Sequence, residues 1–381
     1  DHYLRIALVL IMERFLVAAC VPAVLAGIPR LEIVNGCPSE TIWVAHLANV
    51  GIGPGPINYA IKPGGNMIFD EKETDGVAGA RYWPKMGCDP DGNNCALGGS
   101  GGPGQHCNVL KSDYSLCQPP IDTKFEATWG RQGQPCNPAD PGQMGGCDFI
   151  DMSLVDGFTL PFKLEIVAGQ CTGQASHPVN NLDCSGLSVD KCPMDDNLGK
   201  GPTSLQAINP KLQKPVGCYA PCLKLIDTKW NNDEAKGKSR DDPDVTKYCC
   251  TTPPENSATC NAGPLPQTKY VQAVHQFCPG VYAFAYDDGQ GLMRCSYGQY
   301  RLTFMCPGIP LAAQKFDAEI EDSKGSDAVF AFGGALIFVL FVAVLGVGLA
   351  LAMFQKWRRG SVLQARDPSD AILRNGAYEL E

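Results

Sequence analysis

Cys147-Asp148-Phe149-Ile150-Asp151-Met152-Ser153-Leu154-Val155-Asp156-Gly157-Phe158 sets acids inside an otherwise apolar run. Its alternation and β-branching predict a strand, and Asp156-Gly157 is a turn dipeptide that ends it. Asp151 and Asp156 are five residues apart, so a straight strand would point them to opposite faces. For both to line one cleft, the chain must bend between them. The residues alone leave a plainer alternative, in which Asp156 only makes the turn and Asp151 is a surface or hydrogen-bonded strand acid.

The rest of the chain continues in the same style. Its 381 residues suffice for one large or two ordinary domains with a real core. Charged residues make up only 19%, against 42 glycines and 30 prolines, a composition for many short strands joined by turns and against a helical bundle. Apolar runs at 41–50, 66–69, 158–167, 281–286 and 300–304 predict strands. Val271, Val274 and Phe277 recur at helical spacing and predict one short helix over 269–278. Residues 231–247 are charged and polar and read as a solvated loop. The net charge of −9 argues against nucleic acid, whose phosphates would be repelled. An uncharged carbohydrate or a basic partner is easier to accommodate.

Nineteen cysteines narrow the compartment. Cys20 lies in an N-terminal apolar segment, and the other eighteen run from Cys37 to Cys306. An even set of this kind reads as an oxidised, extracytoplasmic disulfide framework. Residues 88–117 hold too few apolar side chains for a core of their own, so disulfides must hold them in shape. No Cys-x-x-Cys occurs and the five histidines are scattered, so neither a metal nor any other cofactor is expected. The glycines of 98–104 lack the Lys-Ser/Thr of a phosphate loop. No Asn-x-Ser/Thr sequon occurs, so N-glycosylation is not expected.

The two ends predict a membrane topology. Residues 1–27, with Met12-Glu13-Arg14 ahead of an apolar run and Ala26-Gly27, read as a signal peptide or N-terminal apolar segment. An acidic linker over 308–327 precedes 328–354, twenty-seven residues without a charge. That exceeds the roughly 20 needed to cross a bilayer, and some tilt follows. Lys356, Arg358 and Arg359 then place the 355–381 tail in the cytoplasm. The expectation is a single-pass type I protein whose ectodomain is extracellular or lumenal and whose one transmembrane helix meets membrane lipid.

Tyr248-Cys249-Cys250, Cys260, Lys269-Tyr270, Cys278-Pro279, residues 282–288, Cys295 and residues 300–307 resemble the C-terminal half of a thaumatin-like protein. So does Asp151-Met152-Ser153-Leu154-Val155-Asp156-Gly157-Phe158. The resemblance covers 31–307 and implies a mainly β fold. It is a thaumatin-like β-sandwich with a small disulfide-rich lobe at 88–120 and a large one at 171–295, here followed by a C-terminal transmembrane helix. Carried onto matching positions, the family connectivity implies Cys37–Cys306, Cys88–Cys95, Cys107–Cys117, Cys171–Cys295, Cys184–Cys278, Cys192–Cys218, Cys222–Cys249 and Cys250–Cys260. Cys136 and Cys147 remain, in an insertion between Glu126 and Asp151, and suggest a ninth, local bridge. Cys95-Ala96-Leu97-Gly98-Gly99-Ser100 replaces the Thr-Gly-Asp-Cys of the family, which implies a remodelled small lobe.

The resemblance also implies a cleft between sandwich and large lobe, lined by one arginine and four acids. Arg81 matches the arginine, and Glu126, Asp151, Asp156 and Asp287 match the acids. The function so implied is a membrane-anchored extracellular module, related to defence or the cell wall, that binds a glycan such as a β-1,3-glucan, or a basic protein. Trp83, Trp129 and Tyr286 are candidates for stacking on sugar faces. A second expectation is a weak endo-β-1,3-glucanase, with Glu126 as acid and Asp151 or Asp156 as nucleophile or base. A third is a structural subunit of a membrane or surface assembly.

Overall fold

The computed structural model describes residues 29–306, apart from 49–50, 53–57, 70–72, 74, 102–116, 139–144 and 174–180. The expected leader 1–27, linker 308–327, span 328–354 and tail 355–381 lie outside the described residues, as does Cys107. Among those described, no helix is long and apolar enough to cross a membrane.

Period-two burial builds two sheets. Leu31–Asn35, Phe162–Ala168 and Gln299–Phe304 bury alternate residues and form the middle of a five-stranded sheet, edged by Asn181–Asp183 and Asn66–Phe69. The second sheet has eight strands, in the order Cys171–Gly173, Met293–Ser296, Cys147–Ser153, Lys124–Thr128, Ala80–Met86, Ile42–Ala48 and Gly51–Ile52, with Tyr59–Ile61 also on Ile42–Ala48. Aromatic contacts join the two inner faces. Phe69 meets Tyr82 at 5.0 Å between ring centroids, and Trp129 meets Tyr300 at 5.7 Å. Leu31, Ile33, Leu302, Phe125, Ile150 and Met152 are fully buried in the same core.

The ends of the sandwich are tied by its only parallel pair among the described strands. Leu31–Asn35 runs beside Gln299–Phe304 with Asn35 opposite Phe304. Two residues further along each strand stand Cys37 and Cys306, which bond across a separation of 269 residues. A bridge closing so long a loop removes about 5 kcal/mol of unfolded-chain entropy in the loop-closure model. The described cysteines also join Cys88–Cys95, Cys136–Cys147, Cys171–Cys295, Cys184–Cys278, Cys192–Cys218, Cys222–Cys249 and Cys250–Cys260.

The large lobe hangs a small sheet, Gln206–Asn209, Lys214–Tyr219 and Gly157–Phe158, beside short helices. The predicted helix is present as Lys269–Phe277, started by the Thr268 side chain accepting from the Val271 N–H. Two expectations change. Residues 281–286 make no strand: their backbone takes a single bridge, Tyr282 to Ser153, and otherwise turns. The polar 231–247 segment is not all loop, because Asp242 leads into helix Pro243–Cys249 with proline at its first position, where a missing N–H costs nothing.

Candidate functional site

The strand Cys147–Ser153 carries acids to both faces of the eight-stranded sheet. Asp148 shares the inner face with Ile150 and Met152, whereas Asp151 points outward. Outward, the register is decisive. Arg81 lies opposite Glu126, and Glu126 lies opposite Asp151. Three antiparallel strands thus set an arginine and two acids in one row, with neighbouring Cβ atoms about 4.5–5.5 Å apart. Arg81 Nε donates to Glu126 Oε1 at 2.6 Å, with the two side chains 42% and 26% exposed.

The chain leaves its strand between Asp151 and Asp156. The strand ends at Ser153, and Gly157 adopts φ +146° to enter the large lobe. Only glycine fits there, because a Cβ would stand 2.2 Å from the Cys218 carbonyl oxygen. Asp156, just before it, is held by its own carbonyl accepting from the Ala220 N–H at 3.0 Å. Its carboxylate pairs with Lys124 Nζ. Lys124 is two residues before Glu126 on the same strand, so both side chains share the outer face.

The turn at 281–288 completes the wall. Leu154 N–H donates to the Tyr282 carbonyl at 2.8 Å, and Tyr282 N–H to the Met152 carbonyl at 3.0 Å. This docking puts Asp288 close enough for its charge to act on Asp151, and the Tyr282 hydroxyl donates to Asp288. Asp287 is turned inward instead. It is only 6% exposed, and its Oδ2 accepts from the Ala283 N–H at 2.9 Å and pairs with His275 Nε2 at 2.7 Å. Asp287 therefore braces the turn, and its neighbour Asp288 is the acid presented to the row.

The surroundings push Asp151 and Asp156 in opposite directions. Burial holds the Asp151 carboxyl well above the usual carboxylate range; the Glu126 charge adds to this, Arg81 opposes it, and Asp288 adds further. One Asp151 oxygen, Oδ1, is buried and accepts no hydrogen bond from the described residues. Burial also pushes Asp156 up, but Lys124, with Arg240 and Arg81, more than offsets it and leaves that carboxyl below its ordinary value. Lys124 is pushed down by burial and more strongly up by Asp156, Glu126 and Asp122. Beneath them Asp122, 2% exposed and hydrogen-bonded by Ser100, is raised to about 6, chiefly by burial.

The expectation is Glu126 as the acid and Asp151 or Asp156 as nucleophile or base. In the structure Glu126 is ion-paired with Arg81, and Asp151 is the carboxyl that burial and the Glu126 charge push well above the usual range. The expected sugar platforms also change. Trp83 and Trp129 are 5% and 3% exposed, with their indole N–H groups donating to Gly98 O and Tyr82 Oη. Tyr286 remains half-buried, its hydroxyl 2.7 Å from Thr252 Oγ1. Lys124 and Asp288 were missed. The same-face spacing of Lys124-Phe125-Glu126 was a usable signal for the first; none separates Asp288 from Asp287. No group of His, Cys, Asp and Glu among the described residues could hold a metal ion.

Residues 35–307 match the Thaumatin family. The chain belongs to that family. Among its thaumatin relatives, thaumatin-like protein 1 of Arabidopsis thaliana is 27% identical over 286 residues, covering 74% of this chain and 86% of the relative. Pathogenesis-related protein 5 of the same plant is 27% identical, covering 72% and 88%. A Prunus avium protein named glucan endo-1,3-beta-glucosidase is 29% identical over 243 residues, covering 60% and 71%. In this thaumatin domain the outward row belongs to the sandwich, and Asp156 and Asp288 reach it from segments that lead into the large lobe.

Proposed function

We propose that the Arg81–Glu126–Asp151 row is the floor of an extracellular cleft that binds a glycan, with a β-1,3-glucan as the favoured ligand, in a defence or cell-wall setting. Asp151 carries this reading. A carboxyl that keeps its proton donates to a sugar oxygen, while Glu126 and Asp156 accept from hydroxyls and the half-exposed Arg81 offers further donors. A glycan hydroxyl is both donor and acceptor, so this mixture complements it. A basic protein fits less well, since Arg81 and Lys124 already offset Glu126 and Asp156.

One observation favours a second reading, glycan hydrolysis. A carboxyl raised above its usual range directly across from an ion-paired one is the kind of division that glycoside cleavage needs. Asp151 would then be the acid and Glu126 the nucleophile; the relative named glucan endo-1,3-beta-glucosidase supports hydrolysis as an activity. The uncharged 328–354 run with Lys356, Arg358 and Arg359 beyond it supports a membrane anchor. Carbonate extraction of membranes from cells making the full chain tests that part.

The test of the cleft is binding of the full-length protein to neutral glycans, with Asp151→Ala and Arg81→Ala alongside. Wild-type binding that drops at least about tenfold in each variant supports recognition here. Release of shorter sugars from the bound glycan would then separate hydrolase from binder. If wild type and variants behave alike, the row is structural and the glycan reading fails.

A further inference from the structure

Lys124 has no place in the set of cleft residues named by resemblance, yet it sits at the centre of its charges. Its strand partner is Ser153, one step along the face from the Glu126–Asp151 pair. Its Nζ pairs with Asp156, and its side chain is 15% exposed, so the ammonium is held in the cleft wall rather than solvated. Asp122, Glu126 and Asp156 all act on it. Asp156 is fixed on the other side through its backbone to Ala220. Arg81 pairs with Glu126 and Lys124 with Asp156, so two of the acids are compensated by a neighbouring base. Asp288 adds a negative charge that acts on Asp151, so without Lys124 this face would be more acidic still.

We infer that Lys124 determines which class of glycan this cleft accepts: by cancelling Asp156 it selects uncharged chains over amine-bearing ones. The inference rests on the glycan reading above and goes beyond it. At an effective dielectric of about 20, a unit charge within about 8 Å of a ligand amine is enough to change preference more than tenfold. Glutamine at 124 would leave Asp156 facing the ligand uncompensated, and a protonated amine would be its natural partner. Asparagine at 156 would do the opposite, leaving a lone ammonium that repels amines.

The experiment measures the full-length protein against two oligosaccharides of equal length and linkage, one neutral and one bearing protonated amines, at pH 6 and low salt. Wild type is expected to prefer the neutral chain. Lys124→Gln should shift the preference ratio toward the amine-bearing chain by about tenfold or more, and Asp156→Asn should shift it the other way. The double variant Lys124→Gln/Asp156→Asn, in which neither charge remains, should return to within about threefold of wild type. A ratio that stays put in Lys124→Gln, or a double variant that fails to restore it, overturns the inference while leaving the glycan reading intact. Should Lys124→Gln fail to fold, Asp156→Asn alone decides: an unmoved ratio overturns the inference. Absence of wild-type binding to both sugars overturns the glycan reading and this inference with it, a distinct pattern.

Discussion

Asp148 and Asp151 stand three residues apart on one strand, yet their surroundings are opposites. Asp148 points into the sandwich and is fully buried with Arg30 at 2.6 Å. Gly130 N–H, Gly298 N–H and the Tyr300 hydroxyl each donate to it at 2.8 Å. Arg30 in turn lies 3.7 Å from the Tyr297 ring centroid. Both Asp148 oxygens are used, so its charge is compensated and structural. Asp151 points outward, has no hydrogen-bond partner for Oδ1 among the described residues, and feels the charges of Glu126 and Asp288. Identical side chains on one strand thus become a buried rivet and an outward acid of the proposed site according to which face they take.

The sharpest way to break this contrast is Asp148→Asn. It strands the buried Arg30 guanidinium, and the expected loss is about 3–5 kcal/mol in chemical denaturation, with glycan affinity of the folded fraction unchanged. A loss under about 1 kcal/mol would show that the pair is not the rivet described. Next comes Gly157→Ala, which forces a Cβ against Cys218 O and a left-side backbone angle on alanine, at about 3 kcal/mol. It should also weaken glycan binding by displacing Asp156, an effect that Asp148→Asn lacks.

Asp122 tests the acids under the cleft by pH. Its folded value, about 6, lies above the ordinary 3.8. A raised carboxyl contributes its stability in full below the ordinary value and loses it as pH rises through 6. Asp122→Asn should therefore stabilise the protein by about 1–3 kcal/mol at pH 8 relative to its effect at pH 3. Thermal unfolding at the two pH values reads this directly; an equal effect at both would mean that Asp122 is not a burdened acid. The smallest stability effect belongs to Asp151→Asn. An amide replaces a carboxyl that is already neutral, so stability should change by less than about 1 kcal/mol, and binding, which needs a donor, by less than about threefold. A collapse of binding in this variant would show that the charged form is the one recognised.

Much of the sandwich is legible from sequence because its signals are local. Period-two burial marks Leu31–Asn35 and Gln299–Phe304, and the turn chemistry of Asp156-Gly157 marks where the chain must leave its strand. The resemblance supplies Arg81, Glu126, Asp151 and Asp156, and the structure gathers all four. Register is not local. The spacing of Lys124 and Glu126 puts them on one face, but that Asp151 falls opposite Glu126 depends on a partner strand beyond an insertion. Asp287 and Asp288 differ by one residue in a turn, where side-chain direction follows backbone angles that no periodicity reports. Trp83 and Trp129 are misread as platforms because a large aromatic is equally at home in a core, and the small-lobe carbonyl of Gly98 that receives the Trp83 N–H is fifteen residues away.

Asp151, set opposite Glu126, should keep its proton to a higher pH than Asp156, which is paired with Lys124. Site-resolved carbon NMR of the two carboxyl groups, followed from pH 2 to 8, tests it most directly. At pH 5 the account predicts a protonated Asp151 and an ionised Asp156, with Asp151 titrating only well above the usual carboxylate range. Two carboxyls both ionised by pH 5 would contradict it.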